Sequence, residues 1–228
     1  MTAARAAKAG GSGGVEDTSG TGGSGAGGSG GGGGDSAPPP FRAAVAALSE
    51  TRPRPEIQLS VLPAPRRLAP YSFALEAAVT DPEGTDTELA DGRFVLLHDP
   101  QGQDSWQGTF RVVTLGRAEL EPEIAGDPLL PEVTWTWLTG ALEARGAGYT
   151  EPSGTVTRSS SAFFGGLAER AAEELLEIRA SWTPEGSTPD AAAHLTAWCE
   201  LLCQCAGLPP EAGEGSSVVQ LPQRRGPR

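Results

Sequence analysis

Between Ile57 and Leu120 the chain repeats one pattern: short runs in which every second residue is apolar, broken by turn-forming residues. In EIQLSVLP the apolar positions are Ile57, Leu59 and Val61; in YSFALEAAV they are Phe73, Leu75, Ala77 and Val79. A third run, GRFVLLHDP, follows Asp91-Gly92 and is closed by the turn residues Asp99-Pro100-Gln101-Gly102. A longer one, GTFRVVTLGRAEL, carries Phe110, Val112 and Leu120 in phase. A two-residue period is the signature of strands, and connections this short favour antiparallel pairing.

Helical spacing appears around this set. FRAAVAALSE places Phe41, Val45 and Leu48 on one face, and the prolines of TRPRPE end that helix. DPLLPEVTWTWLTGALEARGAG is ambiguous: Val133, Trp135 and Trp137 alternate as in a strand, whereas Val133, Trp137, Leu138, Ala141 and Leu142 trace a helical face. The length of the run, Pro131 near its start and Gly146 or Gly148 at its end choose helix. SGTVTRSSS then reads as a strand, AERAAEELL as a helix by propensity, and EIRASWTP as a strand with Ile178, Ala180 and Trp182 inward. A last helix opens at Thr188-Pro189-Asp190 and closes at Gly207, and SSVVQLP suits a short final strand. The expectation is an α+β fold in a single domain, mainly an antiparallel sheet of about five to seven strands with three to four helices packed on it.

Residues 1–40 are excluded from that domain. Residues 10–34 are mostly glycine with some serine, too poor in apolar surface to offset the entropy of ordering, so a disordered tail is expected there. Its matches to G-x-S-x-G carry no chemistry, because that motif works only on a strand-turn-helix frame. The folded domain is assigned to residues 41–223 and a basic tail to residues 224–228.

Charge divides unevenly among these parts. The tail stands at −1 and Arg224, Arg225 and Arg228 add +3, so the net −12 places −14 on residues 41–223. A body this acidic repels phosphate backbones, which argues against DNA as a partner and against direct RNA binding. No apolar run reaches the ~18 residues of a membrane helix, and MTAARAAKAGG lacks a signal-peptide core. Cytoplasmic localisation without membrane association is expected, and with it free thiols for the chain's three cysteines.

Those cysteines, with one of the two histidines, lie in AHLTAWCELLCQCAG. On a helix Cys199 and Cys203 stand about 40° apart and could share a metal, but Cys205 points about 160° away from Cys203. His194, Leu195, Trp198, Cys199, Leu201 and Leu202 form a broad apolar face, on which cysteine acts as a small hydrophobe. The stretch is therefore read as core, with no metal and no cofactor. His98 shares strand phase with Phe94 and Leu96 and reads as a core or rim residue rather than a general base. The acidic run Glu119, Glu121, Glu123 and Asp127 has the oxygen ligands to hold a hard cation but reads rather as a solvated edge.

The anion-binding candidate is TVTRSSS. Arg158 is in phase with Val156, and Ser159, Ser160 and Ser161 are placed to open the next helix, where hydroxyls and free N–H groups favour an anion. The alternative is an arginine paired with a local carboxylate beside a serine cap. Trp106, Trp135 and Trp182 stand beside turns or on ambiguous faces and are the candidate interface residues, with core packing as the competing fate.

The phrases LAPYSFALEA, GRFVLLHDP, WQGTFRVVTL, ELEPE, DPLLPEVTWTWLTGAL, EPSGTVTR, IRASWTP and LPQRRGP resemble an actinobacterial family catalogued as a domain of unknown function, DUF3000. The resemblance runs from Phe41 to the terminus and omits the glycine-rich tail; RAAEELLE is more helical and acidic than the family pattern. It implies no activity or catalytic residues, only genes that neighbour one for a ribonuclease D-like exonuclease. The expected role is a non-catalytic binding or accessory domain acting through a protein partner. The alternatives are an accessory factor to an RNA-processing enzyme and a small enzyme acting on an anionic metabolite.

Overall fold

Leu75, Ala77 and Val79 of one run and Phe94 and Leu96 of the next all lie in one buried apolar cluster, as their period of two requires. The computed structural model describes residues 37–65, 67–82 and 87–209. Among them are the strands β1 (Ile57–Leu62), β2 (Tyr71–Thr80), β3 (Glu88–Gln103), β4 (Gly108–Glu119), β5 (Tyr149–Ser161) and β6 (Glu173–Pro184). They form one open sheet in the order β1-β2-β3-β4-β6-β5, with every neighbouring pair antiparallel. The helices are α1 (Pro39–Glu50), the single turn α2 (Pro122–Ala125), α3 (Leu130–Ala144) and α4 (Ala191–Cys205). The fold is α+β, and no helix among the described residues is long and apolar enough to cross a membrane.

Helix α4 is the centre of the covered side. It meets β2, β3, β4 and β6 and also touches α1 and α3. Two central glycines let it approach: a Cβ on Gly92 would stand 2.7 Å from the Trp198 ring and 2.6 Å from the Leu115 carbonyl oxygen, and one on Gly116 would stand 2.9 Å from Leu202. Asp190 caps α4 by accepting the Ala193 N–H at 3.1 Å. At the other end Gly207 adopts φ 74°, so that the Leu208 N–H reaches the Cys203 carbonyl at 2.9 Å. The cap is thus Asp190, two residues later than the Thr188 start expected from sequence. All three cysteines are free and buried on this helix.

The ambiguous tryptophan-rich segment is helical, as Pro131 and Gly146 indicate. Its inward face is Leu130, Thr134, Leu138, Ala141 and Leu142, rotated so that Val133 is exposed. Thr134 is tolerated inside because its hydroxyl donates to the Leu130 carbonyl at 2.7 Å.

Three local expectations are corrected. Strand β3 does not end at Asp99-Pro100-Gln101-Gly102; it continues through an irregularity between His98 and Gln103, and the hairpin turns at residues 104–107, with Gln107 at φ 53°. AERAAEELL is not a helix: a short 3-10 turn at Gly165–Leu167 is followed by β6 from Glu173. Helix propensity there yields to the ladder with β4 and β5, which buries Leu176 and Ile178. Consequently Ser159, Ser160 and Ser161 lie in β5, not at a helix start. The glycine-rich tail, the final strand SSVVQLP and the basic end lie outside the described residues.

Candidate functional site

Helices cover one side of the sheet, so alternation sends every second residue of the central strands to the other. Register sorts that open side into rows running across β2, β3, β4, β6 and β5. One row is Glu76, Arg93, Leu115, Arg179 and Thr155; the next is Ala74, Val95, Val113, Ser181 and Ser153. Val95, Val113 and Leu115 are half-buried with no helix above them. With Arg93, Arg179, Ser153, Thr155 and Ser181 they line a concavity of about 550 Å³.

The charged side chains around this floor differ in how they are satisfied. Arg93 lies 3.7 Å from Glu76. Arg117 and Arg179 share Glu177, at 2.9 and 2.7 Å, and hydrogen bonds from Arg179 and then Arg117 hold the Glu177 carboxyl below its ordinary range. Arg111 is different. It is only 7% exposed, and among the described residues no carboxylate forms an ion pair with it.

Its guanidinium is instead held by four oxygens from two neighbouring strands, β5 and β6. Nη1 donates to the Glu151 carbonyl at 2.9 Å and to Thr183 Oγ1 at 3.1 Å. Nη2 donates to Ser181 Oγ at 2.8 Å and Ser153 Oγ at 3.2 Å. Thr183 passes its own proton to the Trp106 carbonyl at 2.5 Å, tying the network to the β3–β4 turn. The Glu151 carbonyl reaches inward because β5 is irregular between Thr150 and Ser153 and Glu151 sits at φ 50°. A non-glycine residue there costs about 1–2 kcal/mol. Burial lowers the Arg111 pKa, opposed by the Glu151 charge nearby, yet an arginine stays protonated. The arrangement is a desolvated cation solvated by neutral oxygens, opening through two serine hydroxyls onto an apolar floor.

The anion candidates read from the sequence stand elsewhere. Arg158 is exposed and donates to the backbone carbonyls of Ala125 at 2.8 Å and Asp127 at 2.6 Å, which anchors the turn between α2 and α3 to the edge strand. Ser160 donates to Glu174 at 2.6 Å, and Ser159 and Ser161 are exposed on β5. These side chains do not converge with Arg158 on a helix start. Of the tryptophans, Trp182 is fully buried against His194 of α4 and Trp106, in the β3–β4 turn, is nearly so, which removes both from the surface. Trp135 is half-buried, its ring 2.7 Å from where a Cβ on Gly154 would be, so it covers the helix side of β5.

The histidines and cysteines are also absorbed by the core. His98 stacks on Phe110 with centroids 4.1 Å apart, and its Nδ1 meets the Thr109 carbonyl at 2.9 Å. Burial pushes the Cys199 and Cys205 thiols up to about 12, far from the thiolate range. Glu119, Glu121 and Asp127 are exposed, and Asp127 caps the Leu129 N–H at 2.8 Å.

Sequence reasoning missed Arg111. Its one signal was a charge between Phe110 and Val112 in the middle of an apolar strand; its serine partners lie 42 and 70 residues further on.

A family model described as "Protein of unknown function (DUF3000)" matches residues 37–215, and the chain belongs to that family. The match excludes the glycine-rich segment and stops short of LPQRRGP. No curated protein and no solved structure matches the chain.

Proposed function

We propose that this DUF3000 chain is a non-catalytic cytosolic binding or accessory domain, in a single folded unit, that acts through a protein partner seated on the open face of the sheet. The observation that carries this reading is the half-buried patch of Val95, Val113 and Leu115 on a face that none of the described helices covers. Its composition suits an interface: an apolar centre, arginines beside it and hydroxyls at the rim. The side chains that would do covalent or acid-base work support the same reading, since both histidines and all three cysteines are buried. Nucleic acid is not the partner in this reading, because the −14 of the body opposes phosphate.

The test is capture of a partner from native lysate by the full chain, repeated with Val113→Asp and Leu115→Asp. Both side chains are half-buried and lie under none of the described helices, so variants that keep the wild-type circular dichroism and a cooperative melting transition are the ones compared. One partner, recovered stoichiometrically by the wild type and lost from both variants, is the expected result. Capture that survives both substitutions overturns the assignment of this face.

A further inference from the structure

Arg111 brings a positive charge to the open face that no acidic side chain of the described residues pairs. The face holds Arg93, Arg111, Arg117 and Arg179; three of them have Glu76 or Glu177 as partners, Asp91 adds its field to Arg117, and the Glu151 carboxylate lies near Arg111 without an ion pair. An isolated buried cation is destabilising unless it is paired, and neutral oxygens offset only part of that.

The proton count at the mouth points outward. Ser153 Oγ and Ser181 Oγ both accept from Arg111 Nη2 and lie 3.2 Å from each other, so one hydroxyl proton spans the pair. The other has no acceptor among the described residues, and both serines line the concavity. A donor polarised by a cation behind it, at the end of an apolar floor, suits a single negative oxygen carried on an apolar body.

Resting on the reading of the open face as the partner's seat, we infer that Ser153, Ser181 and Arg111 form a carboxylate site, and that its occupant is a segment of the partner protein in which an acidic residue lies beside apolar ones. The apolar residues sit on Val95, Val113 and Leu115 while the carboxylate accepts from the serine pair. From Arg111 to Leu115 along β4 is about 13 Å, the reach of an extended segment of four residues. A monoanion fits this arrangement better than a phosphate, which calls for several N–H donors.

The experiment titrates the isotopically labelled full chain with acetyl-Glu-Ser-Leu-Ser-Leu-amide, whose Glu and two Leu share one face when extended, its Gln counterpart and hexanoate, following backbone amide shifts. The Glu peptide is expected to bind at least tenfold more tightly than the Gln peptide and to move the amides of Val113, Gly154 and Ser181. In S153A/S181A that preference falls below threefold, with apolar contact retained. S153A alone, on an exposed edge strand, serves if the double variant unfolds. Equal affinity of the two peptides, or no binding of either, overturns the carboxylate site while leaving the partner's seat to be judged by Val113→Asp. Hexanoate binding as tightly as the Glu peptide overturns the commitment to a protein segment in favour of a free acid.

Discussion

The indole N–H of Trp182 donates to Nδ1 of His194 at 3.1 Å, joining the C-terminal end of β6 to the first turn of α4 inside the core. A ring nitrogen that accepts carries no proton, so His194 is neutral with its hydrogen on Nε2. Burial is the main reason that its pKa falls to about 4, only partly opposed by Asp190.

A pH dependence follows from that depression. In the unfolded chain His194 takes up a proton near its ordinary 6.5, whereas in the folded chain it does so near 4. The unfolded state therefore binds more protons between those values, and stability falls as pH is lowered through the window, by up to roughly 3 kcal/mol from this residue. His98, also lowered by burial, acts in the same direction. H194Q should flatten the fall of melting temperature between pH 6.5 and 4; an unchanged profile would show that His194 does not titrate differently on folding.

The cysteines should be inert until the chain unfolds. With Cys199 and Cys205 thiols held near 12, labelling by iodoacetamide at neutral pH is expected to follow global unfolding, and C199S to destabilise by about 1–3 kcal/mol. Rapid alkylation of either residue in native buffer would contradict their placement.

The two central glycines should respond unequally to a methyl group. At Gly92 the new Cβ meets a carbonyl oxygen at 2.6 Å and the Trp198 ring at 2.7 Å, neither of which can give way cheaply. At Gly116 the nearest obstacle is a leucine methyl at 2.9 Å. G92A is expected to cost about 1–3 kcal/mol or more, and G116A less. Denaturant midpoints rank the pair, and the reverse order would place α4 differently on the sheet.

Deleting residues 1–36, which precede both the described structure and the family match, should leave the melting temperature within a degree or two of the full chain. The basis is composition alone, since glycine and serine supply little apolar surface to bury. A drop of several degrees would show that the segment contributes to the folded domain.

Local pattern determined most of the element types. Alternation in YSFALEAAV and GTFRVVTLGRAEL marks strands because a period of two is a property of the backbone itself, and the same holds for the proline and glycine that bound α3. Where local and non-local preferences disagree, tertiary structure decided: EELLEIRA has helix-forming residues, yet pairing with β4 and β5 buries its Leu176 and Ile178 and makes it a strand. The same pairing moved the three serines after Arg158 from a helix start into an edge strand. Which arginine would be buried without an ion-pair partner was beyond sequence altogether. Arg158 and Arg111 look alike in the chain, but only the sheet order β4-β6-β5 brings Ser181 and Ser153 to the guanidinium of Arg111. The chemistry of that face comes from residues remote in sequence that a two-dimensional ladder places side by side, and a one-dimensional pattern does not contain that order.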